Sequence, residues 1–436
     1  MRPQEIRLDW PGRVWEPGAA PSSPAAGTPI ENGEDRATLV FGDALEAASF
    51  LRSRGERAHL VYVDPPFASQ ADYVAEARLD GVADGRTRRS VAFGDKWQGG
   101  IGAYLDMLAP RLEAASELLR EDGTLWVHLD WRSAYLVRAV LDEIFGRERF
   151  INEIVWRRAP NLGRQATSAQ FGRTLDTILV YGREGARITP PTRLEPIDAR
   201  AVRVDDEGRP FTTAPRGDYT DASIAKLERE GRVHRTASGR VYIKYFLVKK
   251  GDEHFRERRV DTLWTDVSPL RHTKTSERTG YPTQKPLALL ERIIRSASPE
   301  GGTVVDLFCG SGTTLVAAAR AGRRALGSDK SPIAIATARS RLLRAEVAPS
   351  IVRLGGDLPR AAARVAIDGK RVILRDPKMP LAWAVDTTAG EIFQATWHAE
   401  RTLGGPATIP QFVDLDRAPT RVRVRAWADD GTLYEH

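Results

Sequence analysis

The fold of this 436-residue chain is decided by the stretch Asp306-Leu-Phe-Cys-Gly-Ser-Gly-Thr-Thr314. It follows the short apolar run Thr303-Val-Val and precedes a segment with helical spacing from Thr313 to Ala321. Gly310 and Gly312 stand between this strand and helix, where glycine allows a ligand to approach the backbone closely. The stretch is neither a P-loop nor a full dinucleotide fingerprint. It predicts an α/β sheet that binds a ligand at the ends of its strands.

Asp329 indicates what kind of ligand this is. It ends the next strand, 23 residues after Asp306. At that spacing an acidic side chain receives ribose hydroxyls in nucleotide-binding sheets. We therefore expect a nucleoside-type cofactor. Cys309, the single cysteine, excludes an internal disulfide and a Cys-based zinc cluster, and we assign it a packing role inside the turn.

A second motif, Asp64-Pro65-Pro66-Phe67, ends the apolar strand His59-Leu-Val-Tyr-Val63. The prolines fix the backbone and remove two N–H donors, which leaves the Asp64 carboxylate and the Pro65 carbonyl as acceptors. Two acceptors aimed at an exocyclic amine favour a pyramidal nitrogen, whose lone pair can attack an electrophilic methyl group. Phe67 offers a flat face on which a displaced base can stack. The alternative is an ordinary Pro-Pro turn that leaves a strand.

Two further segments supply candidate residues for the same pocket. Tyr281-Pro-Thr-Gln-Lys-Pro286 precedes a helix and places Lys285 to meet an anionic group such as a carboxylate, although an exposed lysine at a helix start is the alternative. His128-Leu-Asp130 lies at another strand end and is a candidate for the pocket wall, or simply a polar strand end.

The order of elements predicts five regions. Residues 1–36 are rich in Pro, Gly and Ala without periodicity, which predicts a flexible N-terminal arm. Strands alternate with helices over 37–182 and again over 263–346, which predicts a mostly parallel sheet with helices on both faces. Residues 183–262 are polar, basic and turn-rich, which indicates an inserted module. Short strands between turn signals predict a small β domain over 347–436.

Charge and composition narrow the class of partner. The net charge is +7 and the pI is near 9.5. Between Ile151 and Thr262 there are 22 Lys and Arg against 16 Asp and Glu, so most of the excess lies there. This suits a polyanionic partner, and a solvated basic surface is the alternative. The sequence has no apolar run of membrane-spanning length and no secretory signal, so we expect a cytoplasmic protein.

In combination, these motifs resemble the beta group of DNA amino-methyltransferases, particularly the modification subunits of type III restriction systems. The order is Asp-Pro-Pro-Phe, a basic insertion, Gln-Lys-Pro and then the glycine turn, and the similarity runs from about Leu39 to Leu343. It implies a permuted Rossmann-like fold that depends on S-adenosylmethionine. The catalytic half would be 37–182, the target recognition domain 183–262 and the cofactor-binding half 263–346.

The resemblance also implies roles for individual residues. Asp64 would act on the target amine, within a catalytic motif completed by Pro65, Pro66 and Phe67, although tyrosine is commoner than phenylalanine at the last position. No metal is expected. The implied cofactor-binding residues are Asp43, Lys285, Asp306, Phe308, Gly310, Ser311, Gly312, Thr313 and Asp329.

The expected activity is site-specific methylation of N6 of adenine in a flipped-out base of double-stranded DNA. N4 of cytosine is the alternative base, and Asp64 in place of the serine of some relatives favours adenine. A glutamine or small-molecule methyltransferase would have its glycine loop first and no basic insertion. An inert DNA-binding protein would not need Asp64, Pro65 and Pro66. A second copy of the chain and a restriction subunit are candidate partners, although the chain is shorter than many type III subunits.

Overall fold

The structure, a computed structural model, describes residues 7–18, 26–78, 87–161, 169–273, 277–355, 359–378, 380–400, 409–428 and 431–436. The chain forms two compact units. The larger contains the residues up to Thr189 and from Thr262 onward, and the smaller is Pro190–Asp261. The smaller unit lies inside the interval 183–262, for which the sequence predicts an inserted module.

Strands and helices alternate through much of the chain. The strands are β1 (Thr28–Glu31), β2 (Glu34–Phe41), β3 (Ala58–Val63), β4 (Ala71–Arg78), β5 (Thr87–Asp95), β6 (Leu119–Leu129), β7 (Phe150–Arg157), β8 (Leu175–Gly182), β9 (Thr192–Ile197), β10 (Arg203–Val204), β11 (Pro210–Pro215), β12 (Val233–Arg235), β13 (Val241–Lys250), β14 (Glu253–Arg259), β15 (Leu263–Trp264), β16 (Thr303–Asp306), β17 (Arg324–Asp329), β18 (Pro349–Arg353), β19 (Arg360–Ala362), β20 (Arg364–Asp368), β21 (Arg371–Asp376), β22 (Ala382–Asp386), β23 (Trp397–Glu400), β24 (Phe412–Asp414), β25 (Arg423–Trp427) and β26 (Leu433–Glu435). The helices are α1 (Ala44–Ser53), α2 (Gly100–Glu117), α3 (Ala134–Phe145), α4 (Asp221–Arg229), α5 (Leu287–Ala297), α6 (Thr313–Arg320) and α7 (Pro332–Arg344).

In the described part of the larger unit, the main sheet has ten strands in the order β1-β18-β2-β17-β16-β3-β6-β8-β7-β15. The strands from β18 to β6 pair in parallel, whereas β1 and β8 are antiparallel to their neighbours. Strands from late in the sequence, β16 and β17, therefore lie between β2 and β3 from its beginning. This confirms the predicted α/β methyltransferase sheet and its permuted order. The carboxyl ends of β2, β3, β16 and β17 meet at one edge.

Helices α1, α2 and α3 pack in sequence, and α5, α6 and α7 form a second contacting group. Helix α5 shows why these segments are helical, because its apolar positions recur with helical spacing. Leu289, Leu290, Ile293 and Ile294 are fully buried, as expected of one face of an amphipathic helix. No helix in the described ranges combines the length and apolarity needed to cross a membrane.

The N-terminal residues do not form the flexible arm that the sequence predicts over 1–36. Trp10 and Trp15 are buried, and their indole N–H groups donate to Asp106 and Glu113 of α2 at 3.3 and 3.2 Å. Further along, β1 pairs with β18 at the edge of the main sheet. Residues 1–6 and 19–25 lie outside the described residues, but for the rest the prediction is wrong. Burial of two tryptophans outweighs the Pro- and Gly-rich composition around them.

The C-terminal residues form two further sheets, ordered β19-β26-β25-β22-β23 and β20-β21-β24. Their core contains Trp383, whose ring centroid lies 4.6 Å from that of Trp397. Strand β18, however, belongs to the main sheet, and these residues form part of the larger unit. The predicted boundary at residue 347 therefore does not separate two compact units.

The smaller unit has an antiparallel sheet in the order β10-β11-β13-β14-β9, with β12 paired to β13. Helix α4 begins after Thr220, whose hydroxyl caps it by accepting from the Ser223 N–H at 3.2 Å. The buried apolar residues of the smaller unit include Phe211, Ile224 and Ile243.

A buried ion pair links strand β1 to helix α7. Arg339 of α7 donates two hydrogen bonds to Glu31 of β1 at 2.8 and 2.9 Å, and the side chains are 0% and 2% exposed. We predict that Glu31→Ala lowers the free energy of unfolding by about 3–5 kcal/mol, because it removes the buried carboxylate that pairs with the Arg339 guanidinium. The measurement is urea-induced unfolding.

Asp414→Ala is the matched control. Asp414 pairs with Arg371 at 2.7 Å on the surface, where solvent screens the pair and it contributes little to stability. Equal destabilisation by the two substitutions would contradict a special role for the Glu31 pair.

Candidate active site

The converging strand ends enclose a cavity with about 960 Å³ of space, part of which opens to solvent. Acidic residues at the ends of four strands face it: Asp43 after β2, Asp64 after β3, Asp306 in β16 and Asp329 in β17. The residues predicted from the sequence that line this cavity are Asp43, Asp64, Pro66, Lys285, Asp306, Phe308, Gly310, Ser311, Thr313 and Asp329.

The glycine turn is held against the end of β17. The Gly310 N–H donates to Asp329 Oδ2 at 2.9 Å, and the Ser331 N–H donates to Oδ1 at 2.8 Å. Gly310 has a positive φ of 48°, and a Cβ atom there would lie 3.2 Å from the Tyr281 ring. Both Asp329 oxygens are therefore fixed by backbone donors at the cavity wall.

Gly312 does not have the position expected of a cofactor-binding residue. It is not among the residues that line the cavity, and its φ of 76° is left-handed. A Cβ atom there would lie 2.7 Å from the Cβ of Ala338 in α7. The structure thus corrects the prediction: this glycine allows α6 to start close against α7, rather than allowing a ligand to approach.

Two carboxyl groups of the cavity hold their protons unusually tightly. Burial, together with the neighbouring charges of Asp64 and Asp329, raises the pKa of Asp306 to about 7. Burial also raises the pKa of Asp329 to about 6. The same cause raises the pKa of the Cys309 thiol well above its ordinary value, which agrees with a packing role. The cavity therefore favours a ligand that brings positive charge.

Asp64 has two oxygens in different situations. Lys285 Nζ lies 2.5 Å from Oδ2, and both side chains are mostly buried. Among the residues that the structure describes, none donates a hydrogen bond to the buried Oδ1. Lys285 thus meets an anionic group as predicted, but that group is the Asp64 carboxylate. The exposed-lysine alternative is wrong.

Phe67 faces a second cleft that adjoins the cavity. Lys285 lines both spaces, and its Nζ lies 5.1 Å from the centre of the Phe67 ring. Asp130, Trp156 and Arg158 also line this cleft. Pro65, buried beneath the loop, is not among the lining residues of either space.

His128, the other residue singled out at a strand end, is fully buried behind Phe67. The two rings lie 6.0 Å apart at an interplanar angle of 22°. The imidazole is bonded to the Tyr62 hydroxyl at 2.8 Å and to Asp176 at 3.2 Å. The His128 side chain packs behind Phe67 and does not line the cleft, whereas Asp130, from the same strand end, is one of its lining residues.

Asp95 is a site residue that the sequence interpretation missed. It is fully buried and accepts the backbone N–H groups of Phe67, Ala68 and Ser69 at 2.7–3.1 Å, together with the Trp97 indole N–H at 2.9 Å. This explains how Ala68 is held at a positive φ of 55°. The available signal was Asp95-Lys-Trp97, an acidic residue beside an indole just before α2.

The sequence matches a family of known proteins. The family model for DNA methylases of the N6/N4 type matches residues 58–340, which is more than half of the chain. The chain belongs to this DNA methylase family. This confirms the resemblance predicted from the motif order, and the predicted amino-methylating activity on DNA.

Individual relatives agree with this assignment. The methylase is 28% identical to the type II methyltransferase M.EcaI of Enterobacter cloacae over 70% of this chain and 69% of that protein. It is 25% identical to the type III StyLTI Mod subunit of Salmonella typhimurium over 66% of this chain, which spans only half of that subunit. Among solved structures, the M1.HpyAVI–SAM complex has a TM-score of 0.39 and 16% identity, covering 70% of this chain and 98% of the other.

The position of Gly312 generates a prediction about the stability of the methylase. Gly312→Ala should destabilise it by about 2–4 kcal/mol, because alanine is strained at a left-handed φ and its Cβ overlaps Ala338. Urea unfolding measures this, and affinity for S-adenosylmethionine, measured on folded protein, should change much less.

The double variant Gly312→Ala/Ala338→Gly is the matched control. Removal of the Ala338 methyl group relieves the overlap and should recover part of the lost stability. A variant of normal stability that fails to bind the cofactor would instead support the original assignment of Gly312 to the cofactor site.

Proposed function

We propose that this methylase transfers a methyl group from S-adenosylmethionine to N6 of adenine in a flipped-out base of double-stranded DNA. The observation that carries the proposal is the Asp64 carboxylate. One of its oxygens is bound by Lys285, while the buried Oδ1 receives no hydrogen bond from the described residues. A buried acceptor without a donor is costly, and a target amine would supply the donor.

The cavity fits S-adenosylmethionine in its charge and in its polar groups. The raised pKa values of Asp306 and Asp329 indicate buried carboxyl groups whose ionised forms are poorly stabilised, and a sulfonium cation would stabilise them. Asp329 stands at the strand end where nucleotide-binding sheets receive ribose hydroxyls. Phe308 and Tyr281 contribute aromatic rings to the wall of the cavity. When bound, S-adenosylmethionine supplies an electrophilic methyl group.

Asp64 can act on the amine without the aid of a cysteine nucleophile. Its Oδ1 would accept an N–H of the exocyclic amine, which orients the nitrogen lone pair toward the methyl group. Lys285 neutralises the charge and fixes the carboxylate in place. The same oxygen is placed to take up the proton that the nitrogen releases after transfer.

The second cleft is suited to the target base. An amine inside the duplex is paired to its partner base, so the nucleotide must rotate out of the stack to reach Asp64. The backbone N–H of Phe67 is bound by Asp95, and its ring stacks on His128. The ring also lines the cleft, where it offers a face for stacking on a base. Adenine is preferred to cytosine because the motif begins with Asp64, by analogy with the adenine-modifying members of the family.

The smaller unit, Pro190–Asp261 within the predicted interval 183–262, would recognise the DNA sequence. It contains 16 Lys and Arg against 13 Asp and Glu. Some of its cations lie over aromatic rings, as Arg256 does at 3.5 Å from the centre of Tyr245. The Mod-subunit relatives support a restriction subunit as a partner, and a homodimer is a second candidate assembly.

The central test combines a variant with identification of the product. Asp64→Asn should lower the methylation rate by about 10²- to 10⁴-fold, because the neutral amide is a weaker acceptor, forms no ion pair with Lys285 and cannot take up the released proton, while cofactor affinity changes by less than about tenfold. Asp72→Asn, at an exposed residue paired with Lys96, is the control and should keep full activity.

Nucleoside mass spectrometry of DNA from an expressing host identifies the product, and sequencing of that DNA identifies the site. We expect N6-methyladenine to appear with wild-type protein and not with Asp64→Asn. Accumulation of N4-methylcytosine instead would overturn the choice of base, and an active Asp64→Asn protein would overturn the mechanism.

Cofactor binding should depend on pH. Because the pKa of Asp306 is about 7 without ligand, the group is neutral below that pH and ionised above it. A cationic ligand binds the ionised form better, so affinity for S-adenosylmethionine should rise between about pH 5.5 and pH 8. Calorimetry at several pH values measures this.

Asp306→Asn serves as the reference, because the ligand's own ionisation is common to both proteins. The difference between the two pH profiles isolates the carboxyl group. Parallel profiles would mean that Asp306 does not titrate against the cofactor.

A further inference from the structure

Beside the second cleft, four side chains form a surface that the catalytic arrangement does not use. Trp131 and Arg132 follow β6, and Phe171 and Arg173 precede β8. The two strands are antiparallel, with Leu129 opposite Thr177, so both segments lie at the active-site edge of the sheet. We refer to Trp131, Arg132, Phe171 and Arg173 as the aromatic–arginine rim.

The two aromatic side chains of the rim are exposed to solvent. Trp131 is 45% exposed, and Phe171 is fully exposed. The Arg173 guanidinium lies 3.8 Å from the centre of the Trp131 ring, and that of Arg132 lies 5.1 Å from it. A single exposed aromatic side chain is common on protein surfaces, but here two lie on neighbouring segments beside a cleft, and two arginines stack on one of them.

The rim is continuous with the cleft that the proposed function assigns to the target base. Arg132 lines that cleft and forms an ion pair with Asp130. Arg158, which also lines the cleft, pairs with Asp176 at 2.8 Å. A partner on the rim would therefore also lie across the mouth of the cleft.

We infer that the aromatic–arginine rim binds the DNA next to the extruded nucleotide, an inference that rests on the proposed function. Extrusion leaves neighbouring bases unstacked, and aromatic side chains can cover such faces or wedge between them. Arginines beside them can neutralise phosphates. This combination of charge and aromatic surface favours DNA over a second copy of the chain, which itself carries a net charge of +7.

The first experiment measures equilibrium binding to a labelled duplex that contains the sequence methylated by the wild-type protein. Trp131→Ala and Phe171→Ala should each weaken binding by about fivefold to 150-fold, which corresponds to base–aromatic stacking of about 1–3 kcal/mol. Because both side chains are exposed, unfolding and cofactor affinity should match the wild type.

Phe412→Ala is the matched control. Phe412 is 47% exposed and carries Arg371 at 4.6 Å from its ring, but it belongs to the C-terminal β20-β21-β24 sheet. This variant should bind the duplex as the wild type does. A loss equal to that of Trp131→Ala would show that exposed aromatics act nonspecifically and would overturn the inference.

A second experiment separates stacking from charge. Arg173→Ala should lower the slope of log affinity against log salt concentration by about one, the change expected when one phosphate contact is lost. Trp131→Ala should keep the slope. The Trp131→Ala penalty should also persist on a duplex whose target nucleotide is abasic, since the neighbouring bases are still unstacked there.

The outcomes distinguish failure of the rim from failure of the proposed function. If wild-type protein methylates DNA and all three rim variants bind the duplex equally well, the rim is not a DNA contact. If Trp131→Ala changes the sedimentation of the free protein but not its affinity for DNA, the surface joins two copies and the inference is overturned. If wild-type protein neither binds nor methylates DNA, the proposed function is wrong, and the inference about the rim is overturned as well.

Discussion

The architecture depends on one set of backbone hydrogen bonds, those that hold β16 in parallel register between β3 and β17. The pairing brings strands from opposite ends of the chain to the same sheet edge, and with them the carboxyl groups of Asp64, Asp306 and Asp329. Burial of Asp306 and Asp329 opposes their ionisation, which is why both have raised pKa values. The local chemistry of the site is thus a direct result of strand order.

Lys285 relieves part of this accumulation of negative charge. Its ammonium group binds the carboxylate of Asp64, 221 positions away in sequence. The ion pair stands at the boundary of the two clefts, and it leaves a single acceptor oxygen uncommitted. Asp95 fixes the loop that follows through backbone donors, so that the acceptor and the aromatic face of Phe67 are set by the same short segment.

The features that could be predicted from the sequence are those that depend on a local pattern of residues. The strand–turn motifs containing Asp64 and Gly310, the basic insertion and the β-rich C-terminal residues are all visible in the order of residues. The errors concern contacts between distant segments. Neither the burial of Trp10 and Trp15 against α2 nor the Gly312–Ala338 contact has a local signature. Asp95 was missed because its partners lie 26 to 28 positions earlier in the chain, across a hairpin.

The two residues of the larger unit that flank the smaller one, Thr189 and Thr262, are each hydrogen-bonded within the larger unit. The Thr189 N–H donates to the Ser296 carbonyl at 2.8 Å, and the Thr262 carbonyl accepts from the Val155 N–H at 2.8 Å. Everything between these two anchors folds around its own core, while the catalytic residues lie entirely outside them. A recombination event that exchanges only the segment between the anchors would therefore leave the chemistry untouched. Under the proposed function, such an exchange would change the target sequence in one evolutionary step, without passing through an inactive ancestor.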